Sequence, residues 1–172
     1  MSDFGPAVEV VLKHEGGFVD NPNDPGGATK YGISRRFLAL HGMSDEAADV
    51  EHITEDFARG IYLKFFWTPN KYDAITDQNV ATKIFDAAVN MGAQQAHRLL
   101  QRALGVIGYD GIVPDGFMGS QTLTAVNKCS PDRLIQALSE EFAAFYKVLA
   151  SRNPKMAEFL PNWLKRAGWS HP

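Results

Sequence analysis

Residues 16–33 constrain the fold more than any other part of the chain. Gly16, Gly17, Pro22, Pro25, Gly26, Gly27 and Gly32 fall among Asp20, Asn21, Asn23 and Asp24. Such a run cannot continue a helix and reads as tight turns. It passes into Thr29-Lys30-Tyr31-Gly32-Ile33, which suggests one or two very short strands. Phe4, Val8, Val11 and Leu12 before it share one helical face, with Ser2 or Asp3 as the cap. A first helix must therefore stop near Glu15, and the chain must double back.

The remainder reads as helices. Ser34 caps one to about Leu40, and Ser44 opens a short one. Thr54 caps another carrying Phe57, Ile61, Tyr62 and Phe65, with Pro69 just beyond. Asp77 begins a helix with Val80, Ile84, Ala87, Ala88 and Met91 on one side, ending at Gly92. A helix over about 93–104 follows, then a glycine-punctuated loop over 105–119, then a short helix capped by Ser120. Pro131 suits the first turn of a long helix to about Ala150. Its expected buried stripe is Leu134, Leu138, Phe142, Phe145 and Leu149. The aromatic tail 159–164 is expected to pack back on the body. The predicted class is mainly α with a small β-hairpin after the first helix. A soft boundary near Gly92 divides it into lobes 1–92 and 93–172, expected to form one compact unit.

With 172 residues and 45% hydrophobic composition, the chain has enough apolar surface to fold without a covalent staple. Cys129 is the lone cysteine, so neither an internal disulfide nor a cysteine-based zinc site is expected. His14-Glu15 begins like the zinc motif His-Glu-x-x-His, but its fifth position is Phe18. No metal and no cofactor are expected. The net charge of −3 argues against a nucleic-acid partner. It hides a split: residues 1–90 carry −6 and residues 91–172 carry +3. The apolar stretches are too short for a membrane span, and the N-terminus lacks the pattern of a secretory signal. The expectation is a monomer made in the cytoplasm without a signal peptide.

Glu15 is the most informative residue. It continues the apolar face of Val8, Val11 and Leu12 at the negative end of the helix dipole. Partial burial and that dipole both favour the protonated acid, the form a glycosidase general acid requires. A hairpin of this length can fold back over the helix end and turn Asp24 and Thr29 toward Glu15. A second carboxylate can activate water or steady an oxocarbenium-like transition state, and a threonine hydroxyl can position the water. Plain turn chemistry is the competing reading of Asp24.

The run His14-Glu15-Gly16-Gly17-Phe18-Val19-Asp20-Asn21-Pro22-Asn23-Asp24-Pro25-Gly26-Gly27-Ala28-Thr29-Lys30-Tyr31-Gly32-Ile33 resembles the N-terminal signature of glycoside hydrolase family 108. Further matches are Ile61-Tyr62 with Trp67, and 85–92 around Val89-Asn90-Met91-Gly92. Segment 115–122, beginning Asp115-Gly116, resembles the family's predicted peptidoglycan-binding half. The resemblance implies a lysozyme-like helical fold. It also implies cleavage of the β-1,4 bond between N-acetylmuramic acid and N-acetylglucosamine, as in phage endolysins and secretion-activating muramidases. It assigns Glu15 as the catalytic acid. Asp24 and Thr29 are similar to the Glu, Asp, Thr arrangement of other phage lysozymes. There the intervening gaps are eight and five residues; here they are eight and four. That shift brings Tyr31 forward as a residue near the substrate. Asn90 is expected to border the sugar cleft, with a helix-end cap as its alternative. Asp115 lies in the wall-binding half, whose positive charge suits the carboxylates of stem peptides. The implied partners are peptidoglycan glycan strands and a release partner such as a phage holin. The alternatives are a lytic transglycosylase on the same bond and a non-catalytic wall-binding secretion accessory.

Overall fold

The computed structural model describes residues 1–18 and 28–168. Asp24, a predicted site residue, lies outside the described residues. Among those described, the chain is mainly α: nine α-helices and one two-stranded antiparallel sheet. It divides into two compact units, Phe4–Pro69 and Met1–Asp3 with Asn70–Pro172.

The first unit opens with α1, Phe4–Glu15, which buries Ala7, Val8, Val10 and Val11. The strands β1, Thr29–Lys30, and β2, Ile33–Ser34, pair Thr29 with Ser34 and Lys30 with Ile33. Arg35 N–H donates to Ala28 O at 2.9 Å, extending the pairing by one step. The helix α2, Arg35–Leu40, starts on Ser34, whose Oγ accepts from Phe37 N at 3.1 Å. The short α3, Ser44–Ala48, leads through a 3-10 turn to α4, Glu55–Tyr62. Thr54 caps α4 by accepting from Phe57 N at 3.1 Å.

The sequence periodicity suggests one helix from Thr54 past Phe65. Instead, α4 gives way after Tyr62 to a π-helical turn, Leu63–Trp67. Widening the turn by one residue rotates the aromatic run Phe65-Phe66-Trp67, so that its rings reach different neighbours. Trp67 meets Phe4 edge-on at 5.7 Å, while Phe65 and Phe66 flank Phe37 at 5.6 and 6.0 Å. Arg59 ties α4 to α1 through Glu9 at 2.7 Å and also holds Glu55 at 2.6 Å.

The second unit is a helical pack. Asp77 caps α5, Gln78–Met91, by accepting from Val80 N at 2.9 Å. Gly92, at φ +86°, makes the sharp corner into α6, Ala93–Val106. The loop 107–119 leads to α7, Ser120–Lys128. Gly119, not Ser120, occupies its cap position, and Ser120 is the first helical residue. The long α8, Pro131–Arg152, starts on its proline. It packs on α5 and α6 and receives α9, Leu160–Ala167. The aromatic tail thus packs back as expected, with Trp163 stacked on Tyr146 at 5.2 Å.

The stripe on α8 differs from the expected one. Leu134, Leu138 and Phe142 are buried, but Tyr146 and Ala150 continue the face, while Phe145 and Leu149 lie at its margin. The buried row follows a steady i, i+4 ridge, and Phe145, one position before Tyr146, is carried off it. No described helix is long and apolar enough to cross a membrane.

Candidate active site

Glu15 is the last residue of α1 and is half-buried. What lies against it is the hairpin turn. The two strands leave only Tyr31 and Gly32 between them, at φ +50° and +75°. Two consecutive positive φ values identify a type I′ turn, whose twist matches that of the strands it joins. Glycine adopts this geometry freely, but tyrosine seldom does.

A Cβ built on Gly32 would fall 2.8 Å from both Cγ and Oε2 of Glu15, and 2.5 Å from Oη of Tyr62. The carboxyl group therefore rests against the turn backbone, in space open only because residue 32 has no side chain. Tyr62, the last residue of α4, is 1% exposed. Its hydroxyl donates to Tyr31 O at 2.7 Å. Lys30 Nζ holds the same hairpin by donating to Glu51 O at 2.6 Å. The turn is thus fastened on two sides before any substrate arrives.

Thr29, on β1, is half-buried and pairs with Ser34. Tyr31 is half-buried at the tip of the turn, with Lys30 Nζ 5.4 Å above its ring. The structure therefore brings the hairpin to the helix end, with Gly32 as the point of contact. In the sequence Tyr62 reads as one more apolar-face residue of α4, and Gly32 as part of a turn. The sequence signal for the turn is the Tyr-Gly pair between two strand-like dipeptides.

Asn90 and Asp115 belong to the second unit. Asn90 is exposed, and its Oδ1 accepts from the Tyr146 hydroxyl at 2.6 Å, linking α5 to α8. Asp115 Oδ1 accepts from Phe117 N and from Gln101 Nε2, both at 2.8 Å. The Phe117 N–H first, and then Gln101, hold its carboxyl below the usual aspartate range. Gln101 is the hub of this loop. Its Oε1 accepts from Gly116 N at 2.8 Å, and its Nε2 also reaches Phe117 O and Thr122 Oγ1. Next to it, His97 Nδ1 lies 3.1 Å from Gly116 O and Nε2 lies 2.8 Å from the Tyr72 hydroxyl. A carbonyl can only accept, so Nδ1 carries the proton and Nε2 accepts from Tyr72. Burial pushes His97 below its ordinary pKa.

At the level of class, fold and site fit a mainly α-helical glycoside hydrolase, with an acid at a helix end over a rigid turn. The Glycosyl hydrolase 108 family model matches residues 8–92, and the Predicted Peptidoglycan domain model matches residues 95–168. The chain is similar to the solved structure of Brucella abortus SagA, at 30% identity and a TM-score of 0.72. That match covers 95% of this chain and 92% of SagA. No curated protein matches. The chain belongs to glycosyl hydrolase family 108 and is a glycoside hydrolase whose second signature points to peptidoglycan.

Proposed function

We propose that the chain is an N-acetylmuramidase. It hydrolyses the β-1,4 bond between N-acetylmuramic acid and N-acetylglucosamine, and it acts in cell-wall lysis. The observation that carries this reading is the Glu15 carboxyl, half-buried at the end of α1 and seated on the Gly32 turn. Glu15 donates its proton to the glycosidic oxygen as the bond to C1 breaks. Asp24 takes a proton from a water that attacks C1 from the opposite face, and Thr29 orients that water. With the water between the two carboxyl groups, the reaction inverts the anomeric centre. Tyr31 contacts the sugar, while Asn90 and Asp115 are peptidoglycan contacts of the second unit. The protein works as a monomer after a membrane-permeabilising partner, such as a phage holin, releases it to the wall.

Mass spectrometry of products from purified peptidoglycan tests the reaction type. Hydrolysis leaves reducing muramic ends. Ends lighter by one water, the 1,6-anhydro form, would overturn hydrolysis in favour of a lytic transglycosylase. Binding to sacculi without any cleavage would overturn the enzymatic reading of the site.

A further inference from the structure

Three elements converge on one small volume. The end of α1 brings Glu15, the end of α4 brings Tyr62, and the hairpin brings Gly32. The point where a Gly32 Cβ would stand is 2.5 Å from Tyr62 Oη and 2.8 Å from Glu15 Oε2. Real Cβ atoms do not approach other atoms so closely, so the turn backbone fits between the two side chains only as glycine. The backbone angle, φ +75°, makes the same demand independently. Tyr62 is buried, and its hydroxyl is spent on the carbonyl of the residue beside Gly32, at 2.7 Å. That bond restrains a turn whose first residue, Tyr31, sits in a conformation costly for a non-glycine.

We infer that Tyr62 and Gly32 are a coupled pair of positioning residues for Glu15. The inference rests on the reading of Glu15 as the general acid. The Tyr62 hydroxyl fixes the turn through Tyr31 O, and the missing side chain at 32 lets the carboxyl rest on that turn. The hairpin, and not α1 alone, then determines where the acid points. Neither residue needs to touch the substrate.

The test is steady-state kinetics on soluble glycan-strand fragments with Tyr62→Phe, Gly32→Ala, the double variant and Glu15→Gln. Displacing a catalytic group by about 1 Å can cost ~100-fold in rate. Gly32→Ala is therefore expected to lower kcat by roughly that factor. Tyr62→Phe, which adds no atom, is expected to lower kcat about tenfold, with KM within about twofold. The double variant is expected to be no slower than Gly32→Ala alone, because removing Oη relieves the closest contact of the new methyl group. Such non-additivity marks a coupled pair. Strictly multiplicative losses would overturn the coupling. If Gly32→Ala does not fold, Tyr62→Phe carries the test, and wild-type kcat in that variant overturns the proposal. An active Glu15→Gln would instead sink the reading of Glu15. An inactive Glu15→Gln beside an unimpaired Tyr62→Phe would sink only the positioning role.

Discussion

Lys83 lies in the core of the second unit, on the inner side of α5, only 4% exposed. Its ammonium donates to Ala167 O at 2.7 Å, fastening the end of α9. Nearby Asp86 holds Arg166 by two bonds of 2.8 Å each. Burial lowers Lys83 from 10.5 to about 8, against the opposing pull of Asp86. At ~1.4 kcal/mol per unit, that displacement is worth about 3 kcal/mol. The sign follows from proton counting. Below pH 8 both states hold the proton, and the folded state bears the whole cost of burying it. Between about 8 and 10.5 the folded chain has released the proton and the unfolded chain has not, so stability rises with pH. Lys83→Met removes this titration. Urea unfolding of both proteins at pH 7.5 and 10.5 isolates it, because the other alkaline titrations cancel in the difference. The substitution should look better at pH 7.5 than at pH 10.5 by about 3 kcal/mol, whatever the lost bond to Ala167 costs. A difference below about 1 kcal/mol between the two pH values would refute the argument from burial.

Other consequences can be measured alongside. His97 is neutral in the fold and shifted down by burial, so the unfolded chain takes up its proton first as pH falls. Stability should decline below about pH 6.5, and a His97→Asn variant should show a shallower decline in urea midpoint. Gln101→Leu removes four polar partners around the 107–119 loop. It should cost about 3 kcal/mol in chemical unfolding and speed amide exchange in that loop. Tyr31→Asn puts a residue suited to positive φ into the type I′ turn and should add about 1 kcal/mol of stability. It should also raise KM on glycan fragments, and an unchanged KM would remove Tyr31 from the sugar contacts.

Part of the helical order is legible because three helices declare their starts with a side-chain cap. Ser34, Thr54 and Asp77 all cap where a polar residue precedes an apolar run. The hairpin is legible from the Tyr31-Gly32 pair between two strand-like dipeptides. What escapes is set by long-range packing. The π-turn at Leu63–Trp67 accompanies contacts of three aromatic rings with Phe4 and Phe37, far away in sequence. The burial of Lys83 rests on a carbonyl of α9 that lies 84 positions further along the chain. Glu15 stands out because an acid on an apolar stripe breaks the pattern. Gly32 and Tyr62 do not, because their importance lies in a distance between residues 30 positions apart. Asn90 and Asp115 stand out as polar residues beside glycines, which is equally the signature of corners, and both make internal hydrogen bonds.

The proposed role of Glu15, supplying the proton to the glycosidic oxygen, can be tested directly. Replacing Glu15 with glutamine keeps the shape of the side chain and removes the acid. Wild type and Glu15→Gln should be compared on defined peptidoglycan, with products resolved by mass and folding checked by circular dichroism. Glu15→Gln is expected to fold and release no muropeptides, while wild type releases fragments with reducing muramic ends. Release of the same fragments by Glu15→Gln at a comparable rate would contradict that role.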